Sequence, residues 1–161
     1  MSGVGERFTI RPLMEADLPF LLEIRNECRH FLHDDRPFTL DECRHWFATQ
    51  HPAFYIIEHE ATPIGYFRTG GFDPAARSLE IGADLHRAFR GRGLAKPAYA
   101  LFVEWLRTTQ DVAELRLEVL SHNAVALGLY RSLGFEETGR RGAVAVRDGG
   151  TVDSIQMRRA L

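Results

Sequence analysis

A turn rich in glycine and arginine constrains this chain more than any other segment. It spans His86–Ala95 (HRAFRGRGLA), after an alternating apolar stretch at residues 78–85 and before residues 94–107, whose apolar residues recur at helical spacing. A strand that turns through glycines into a helix presents unpaired backbone N–H groups at the positive end of the helix dipole. The turn therefore predicts a binding site for a phosphate or pyrophosphate group, with arginines adding positive charge beside it.

The size and composition of the chain predict one domain over residues 1–161. At 161 residues and 18.3 kDa, a single hydrophobic core is the default organisation. The apolar fraction of 45% and charged fraction of 26% are ordinary for a soluble globular protein. A net charge of −2 argues against a nucleic-acid partner, because such proteins usually carry a basic excess.

Location and metal content are predicted from what the sequence does not contain. No apolar run approaches the roughly 20 residues that span a bilayer, and Met1–Gly5 lacks the pattern of a secretory signal. Cys28 and Cys43 have no metal-ligand spacing, and the seven histidines show no paired arrangement. We therefore expect a cytoplasmic protein with no membrane partner and no metal.

Hydrophobic periodicity predicts the element order β-α-α-β-β-β-α-β-α-β-β. Two strands after Phe135 complete the set, and a capping box at Thr39 and Glu42 begins the second helix. This order predicts the mixed α/β class, with helices on both faces of a mixed sheet. The other predicted strands are Phe8–Arg11, Phe54–Glu58, Ile64–Arg68, Leu79–Leu85 and Leu115–Val119, and the other helices are Glu15–Glu27, Leu94–Arg107 and Asn123–Leu133.

Two common phosphate motifs fit the turn poorly. A P-loop needs Ser or Thr after its lysine, but Lys96 is followed by Pro97. A dinucleotide fingerprint needs a third glycine or alanine where Lys96 stands, and it follows the first strand of a fold.

A third pattern fits. Arg90-x-x-Gly93-x-Ala95 resembles the Arg/Gln-x-x-Gly-x-Gly/Ala signature of the GNAT acyltransferase superfamily. A second run further along the chain resembles the second half of the same superfamily's sequence: Leu117-Glu118-Val119, then Asn123-x-x-Ala126-x-x-Leu129-Tyr130-x-x-x-Gly134-Phe135. The resemblance implies a mostly antiparallel seven-stranded sheet, acetyl-CoA as co-substrate and an amine as acceptor. The second run looks most like the protein N-terminal (ribosomal-protein type) acetyltransferases, whereas Arg25-Asn26 and His45-Trp46-Phe47 are closer to amino-sugar and ribosomal-type relatives.

The resemblance also implies which residues bind coenzyme A. Asp84 and Leu85 would pair with the pantetheine arm through their backbone, and Asn123 would contact it. Backbone N–H groups would hold the pyrophosphate at Arg90, Gly91, Arg92, Gly93, Leu94 and Ala95. The alternatives are a plain strand-to-helix turn and an asparagine that only caps its helix.

Three residues are candidates for catalysis. By resemblance, Tyr130 donates a proton to the departing thiolate, a role that suits a phenol with an ordinary pKa of about 10. A carboxylate would deprotonate the amine, and Glu118 is the first candidate and Glu80 the second, since both leave the apolar faces of their strands. The alternatives are a core aromatic for Tyr130 and an ordinary exposed carboxylate near Arg116 for Glu118.

The acceptor stays open at this point. Asp34 and Asp35 lie between the first two helices, in the region that shapes the acceptor pocket in this superfamily, and would attract a cationic amine. The acceptor is either a peptide N-terminus or a small amine such as an amino sugar, polyamine or drug. A non-catalytic acyl-CoA-binding module is the alternative function, and the protein is a monomer or a homodimer.

Overall fold

Seven strands and four helices carry the fold in the computed structural model, which describes residues 7–28, 38–145 and 150–161. The strands are β1 (Phe8–Pro12), β2 (Phe54–His59), β3 (Thr62–Asp73), β4 (Ser78–Leu85), β5 (Glu114–Leu120), β6 (Glu136–Ala145) and β7 (Thr151–Ala160). The helices are α1 (Leu18–Cys28), α2 (Leu40–Gln50), α3 (Ala95–Thr109) and α4 (Ala124–Ser132), with 3-10 turns at Glu15–Asp17 and Arg87–Phe89. The predicted element order is confirmed.

The sheet has the order β1-β2-β3-β4-β5-β7-β6. Each neighbouring pair is antiparallel except β4 and β5, which are parallel and joined through α3. This topology confirms the predicted mixed, mostly antiparallel seven-stranded sheet.

Helices cover both faces of this sheet. Adjacent residues of β2 are fully buried on opposite sides, because successive strand residues point to opposite faces. Ile56 packs in a cluster with residues of α1 and α2, whereas Ile57 packs in a larger cluster with residues of α3 and α4. We call these the α1/α2 face and the α3/α4 face.

A tight turn joins β2 to β3 at Glu60 and Ala61. Both residues have positive φ, 50° and 65°. Two successive positive φ values are what a two-residue hairpin turn requires, since that geometry matches the twist of the flanking strands. The predicted hairpin is confirmed, although neither turn residue is a glycine or asparagine.

The parallel pair is short. Only Ser78–Glu80 pairs with Glu114–Arg116, yet β4 continues to Leu85 and β5 to Leu120. We call the space between residues 81–85 and 117–120 the strand gap. Because α3 and α4 follow β4 and β5 along the chain, both helices begin near the open end of this gap, which is where ligands bind in α/β sheets.

Candidate active site

The predicted phosphate turn has the backbone that its glycines permit. Gly91 and Gly93 have φ of 70° and 73°, in the left-handed region that favours glycine. A Cβ atom on either residue would meet no atom within 4 Å. Backbone conformation, rather than crowding within the protein, therefore explains both glycines.

The N-terminus of α3 has backbone N–H groups that no side chain caps. Leu94 is the N-cap residue and makes no side-chain capping bond, and the helix's bonding begins with Ala98 N–H donating to Leu94 O at 3.3 Å. Pro97 lacks an N–H group, so its position in the first turn costs no hydrogen bond. The N–H groups before it are oriented to bind an anion.

The arginines of the turn hold it in place. Arg90 Nε donates to the carbonyl of Leu85 at 2.9 Å, and Arg87 Nε lies 3.2 Å from a carboxylate oxygen of Glu27. The guanidinium of Arg92 lies 5.7 Å from the ring centroid of Phe89. These contacts attach the turn to the end of β4 and to α1.

The register of β3 and β4 decides which backbone groups face the strand gap. His86 N donates to Ile64 O at 2.8 Å, and Tyr66 lies opposite Asp84. Because an antiparallel ladder bonds alternate residues, the peptide groups of Asp84 point to β3, and those of Ala83 and Leu85 point to the gap. Of the two residues predicted for the pantetheine arm, Leu85 thus faces the gap; Ala83 was not predicted.

Tyr130 is buried beside the gap. Its side chain is 7% exposed, and its hydroxyl oxygen accepts a hydrogen bond from Tyr99 Oη at 3.1 Å. Burial raises the pKa of Tyr130, and the hydrogen bond from Tyr99 opposes that rise by favouring the phenolate. Tyr130 therefore carries its proton at neutral pH, as a proton donor must.

A buried polar group on the α1/α2 face was not predicted. Tyr66 Oη donates to Asp84 Oδ2 at 2.7 Å, and Arg68 lies on the same face of β3. Burial raises the pKa of Asp84, while Arg68 and the Tyr66 hydrogen bond oppose the rise. The alternation of Tyr66 with Arg68, and of Gly82 with Asp84, could have indicated a shared face once the strand register was known.

The two candidate bases lie on neighbouring strands and have different partners. Glu80 Oε2 is 3.5 Å from Arg116 Nη1. Glu118 Oε2 accepts a hydrogen bond from Ser154 Oγ at 2.8 Å and lies 3.7 Å from Arg141 Nη2. Both side chains leave the α3/α4 face, since Ile81, Leu117 and Val119 pack in the cluster on that face.

Asn123 caps α4. Its Oδ1 accepts a hydrogen bond from Ala126 N at 3.2 Å, which is the standard N-cap contact. The predicted pantetheine contact of Asn123 stays a prediction, since this oxygen is engaged by the helix and the amide NH₂ is the group left to donate.

A cavity of about 620 Å³ opens on the α1/α2 face. It reaches Glu80 and Ile81, the residues at which β4 and β5 separate, so it meets the inner end of the strand gap. We call it the helix-side cavity. Its wall contains charged residues (Arg25, Glu42, Arg68, Glu80), aromatic residues (Phe38, Trp46, Phe54), the imidazole of His45 and the thiol of Cys43. Asp34 and Asp35, predicted to shape the acceptor pocket, lie outside the described residues.

One group of potential metal ligands occurs among the described residues. Glu23, Glu27 and His86 bring ligand atoms within 4.8 Å of one another, and His86 Nε2 lies 2.9 Å from Glu23 Oε1. Arg87 and Arg90 approach Glu27 from the other side. The prediction that the protein needs no metal stays a prediction.

Among the described residues, the helices are all too short or too polar to cross a bilayer.

Comparisons with known proteins agree on one family. The model of the acetyltransferase (GNAT) domain matches residues 7–136. The N-alpha-acetyltransferase RimI of Mycobacterium tuberculosis is 29% identical over 88% of this chain and 86% of its own. The L-methionine sulfoximine/L-methionine sulfone acetyltransferase of Pseudomonas aeruginosa is 26% identical over 90% of each chain.

Structural comparison shows that the fold is shared with solved proteins. An acetyltransferase from Salmonella typhimurium, solved with its cofactor acetyl-CoA, superposes with a TM-score of 0.79 at 24% identity and covers 96% of this chain and 94% of its own. The similarity to RimI confirms the predicted likeness to N-terminal acetyltransferases. Because the domain model spans most of the sequence and the strand gap has the expected place in the fold, the chain belongs to the acetyltransferase (GNAT) family.

Proposed function

We propose that this protein acetylates the primary amine of a small acceptor, with acetyl-CoA as the donor. Membership of the family makes it an N-acetyltransferase. The single observation that carries the proposal is the meeting of two spaces at the end of the β4–β5 ladder. The strand gap leads there from the uncapped N-terminus of α3, and the helix-side cavity opens there from the opposite face.

The donor would occupy the strand gap. Backbone N–H groups of residues 90–95 would bind its pyrophosphate, since the turn is positively charged and the start of α3 is uncapped. The pantetheine arm would lie along β4, where Ala83 and Leu85 direct backbone groups into the gap. Acetyl-CoA supplies an activated acyl group held by a thioester bond.

The protein's residues would transfer protons at the acceptor nitrogen and at the sulfur, and would stabilise the negative charge that develops on the carbonyl oxygen. A carboxylate removes a proton from the acceptor's ammonium group, so that the neutral nitrogen can form a bond to the acyl carbon. The backbone N–H group of Ala83, which faces the gap nearer to Glu80 than that of Leu85 does, would hold the carbonyl oxygen while it is negative. Tyr130 donates its proton to the sulfur as the carbon–sulfur bond breaks, which releases coenzyme A as a thiol. The phenolate then takes the second proton from the newly acylated nitrogen, so that a neutral amide forms, and the carboxyl group returns its proton to water.

Glu80 is the better placed of the two candidate bases. It lies in the wall of the helix-side cavity, at the residue where β4 and β5 separate. Glu118 lies across the gap and is engaged by Ser154 and Arg141. We therefore assign the base to Glu80 and keep Glu118 as the alternative.

The acceptor is a small molecule in this proposal because the cavity has the size of a small-ligand site, about 620 Å³. RimI, by name, is an N-alpha-acetyltransferase, and the Pseudomonas aeruginosa relative acetylates two small amino-acid derivatives. A peptide N-terminus is the second candidate acceptor, and the likeness to RimI favours it.

The test is release of free thiol from acetyl-CoA in the presence of an amine panel: amino acids, amino sugars, polyamines and peptides with varied N-termini. We expect turnover with a small amine, and a loss of about 100-fold or more in kcat for Tyr130→Phe, within the range of general acid catalysis. Glu80→Gln should lower kcat more than Glu118→Gln does.

Turnover of peptides alone would contradict the small-acceptor proposal. Binding of acetyl-CoA without turnover of any amine would favour the acyl-CoA-binding module. If Tyr130→Phe leaves kcat unchanged, Tyr130 is not the proton donor.

A further inference from the structure

We infer that the acceptor carries a carboxylate as well as its amine, as a free amino acid does, and that Arg68 and Arg25 bind this carboxylate in the helix-side cavity. This inference rests on the proposed function, because it names the class of acceptor at the same site.

Arg68 is the first observation. It lies in the cavity wall and is partly buried, yet among the described residues it has no carboxylate within ion-pair distance. Other arginines of the sheet have such partners, as in Arg11 with Asp17 at 2.8 Å and Arg77 with Asp111 at 2.7 Å. The carboxylate nearest to Arg68, that of Asp84, is bonded to Tyr66, so the guanidinium keeps its hydrogen-bond donors for a carboxylate of the ligand.

Gly82 gives Arg68 its position. A Cβ atom at Gly82 would lie 2.6 Å from both Cζ and Nη2 of Arg68, far inside contact distance. The guanidinium therefore lies flat over the backbone of β4, at a position that only glycine leaves open. This placement directs Arg68 along the cavity wall instead of outward to solvent.

Arg25 supplies a second positive charge at the same cavity. Its guanidinium lies 4.5 Å from the ring centroid of Phe38, and both residues are in the cavity wall. Among the described residues Arg25, like Arg68, makes no ion pair. Two guanidinium groups in one cavity match the planar, two-oxygen geometry of a carboxylate.

Asp84 does not form an ion pair with Arg68, so the guanidinium stays available to a ligand. It is buried near Arg68, but its Oδ2 is bonded to Tyr66 Oη, and the two charged groups are not within 4 Å. Burial by itself would lower the pKa of Arg68, and Asp84 and the nearby tyrosines raise it above its ordinary value. The guanidinium is therefore charged at neutral pH and keeps its hydrogen-bond donors for another partner.

The rest of the cavity fits the other parts of an amino acid. Glu80 lies in the wall next to the strand gap, where it faces the amine that is to be acetylated. Trp46, Phe54 and Leu21 line the remaining wall and suit an apolar side chain. A polyamine fits poorly, since it would bring added positive charge to two arginines.

The experiment compares acceptors that differ only in their carboxylate. Thiol release from acetyl-CoA is measured with free L-amino acids and L-methionine sulfone, and then with the C-terminal amide of each compound that is turned over. We expect kcat/KM to be at least 10-fold higher for the acid than for its amide. Arg68→Gln should lower kcat/KM for the acid by about 10-fold to 100-fold and change it for the amide by less than about twofold, because only the acid bonds to the guanidinium.

Two further variants separate charge from fold. Gly82→Ala keeps every charge but moves the Arg68 guanidinium, so it should reduce the preference for the acid in the same direction. Arg44→Gln removes an exposed arginine of α2 that pairs with Asp41 outside the cavity, and it should leave the preference unchanged. Should Arg68→Gln not fold, inhibition of the unaltered enzyme by 4-methylthiobutyrate, a carboxylate without an amine, still tests the site; we expect competition with the acceptor.

Three results would overturn the inference: amides that are turned over as well as acids, an Arg68→Gln loss that is equal for both, or no competition by 4-methylthiobutyrate. Turnover confined to polyamines or peptides would also overturn it and leave the proposed acetyl transfer intact. If no amine is turned over, the proposed function fails. The carboxylate site is then tested by calorimetric titration of the coenzyme A-bound protein with L-methionine sulfone. Binding that depends on Arg68 supports the carboxylate site, and absence of binding contradicts it.

Discussion

The hydroxyl group of Tyr130 accepts a hydrogen bond from Tyr99, which leaves the proton of Tyr130 available for donation. A donor to the phenol oxygen stabilises the phenolate and so lowers the pKa of Tyr130, against the opposing effect of burial. In the proposed mechanism, Tyr99 thus acts on the reaction through another residue and has a positioning role.

Tyr99→Phe should lower kcat several-fold and leave KM for acetyl-CoA nearly unchanged. The reason is that loss of the hydrogen bond raises the pKa of Tyr130 and makes it a weaker acid. Steady-state kinetics measures both constants. Tyr55→Phe, which alters a partly buried tyrosine packed on Trp105, is the matched control.

A double variant gives the decisive comparison. In a Tyr130→Phe background, Tyr99→Phe should have no further effect, because the two hydroxyl groups act as one unit. Independent, additive losses would instead indicate that Tyr99 affects only packing.

Some candidate site residues could be predicted from a short segment of the sequence, whereas others depend on contacts between distant segments. Tyr130 and Glu80 are candidates from the sequence alone, because each follows from a motif or from strand alternation within a short segment, and their roles stay predictions. Arg68 and Asp84 were missed, since their proximity depends on how β3 aligns with β4, and alignment is decided by tertiary contacts. Asp34 and Asp35 lie outside the described residues and stay predictions.

At the scale of elements, the loop before α3 combines two left-handed glycines with an uncapped helix. An L-residue in the left-handed conformation costs about 1–2 kcal/mol. Glycine at these two places therefore spares the loop this cost.

Gly91→Ala and Gly93→Ala should each weaken coenzyme A binding by about 10-fold. The free loop would leave the left-handed conformation, and restoring it on binding would cost about 1–2 kcal/mol, or roughly one power of ten in Kd. Isothermal titration calorimetry measures this change.

Gly128→Ala is the control for the loop glycines. It lies on an exposed face of α4, has no positive φ, and a Cβ there meets nothing within 4 Å. It should leave Kd unchanged. Equal weakening by all three variants would mean that the loop conformation is not what binds the ligand.

The β2–β3 turn gives a prediction about stability. Ala61→Gly should raise the free energy of unfolding by up to about 1 kcal/mol. The reason is that a φ of 65° is strained for the exposed alanine, whereas glycine adopts it freely. Chemical denaturation measures the change. The control is Ala48→Gly, at an exposed position within α2, which should lower the free energy of unfolding by about 1 kcal/mol. A loss of stability in both variants would contradict the assigned turn.

Element order was predictable because each strand and helix has its own periodicity. The boundaries of the elements were less predictable. The predicted first helix begins as a 3-10 turn at Glu15–Asp17, and β3 extends to Asp73, five residues beyond the predicted end at Arg68. The extension is stabilised by pairing with β4, as in Asp73 with Ser78, and such pairing leaves no periodic signal in one strand alone.

At the scale of the whole molecule, a donor in the strand gap would connect the two parts of the sheet. We expect coenzyme A at 100 times its Kd to stabilise the protein by about 2.7 kcal/mol. For a chain of this size that corresponds to a rise in Tm of about 5–10 °C. Differential scanning fluorimetry measures it, and a Tm that does not respond to millimolar coenzyme A would contradict binding in the gap.

The class of the fold follows from the sequence, but the helix-side cavity does not. The first two helices were predicted from the apolar pattern of one and the capping residue Thr39 of the other. The cavity depends on how far α1 and α2 stand from β3 and β4, which results from the combined packing of many side chains. The acceptor class could therefore be addressed only from the structure.

The short parallel ladder has a consequence for solubility. Beyond Glu80, β4 carries backbone donors and acceptors without a partner strand, a condition that at the rim of a sheet invites intermolecular pairing and aggregation. Here that unpaired edge faces β5 in the middle of the same sheet, with three strands on one side of β4 and three on the other. The protein can thus keep hydrogen-bonding capacity in reserve for a ligand without offering it to neighbouring molecules.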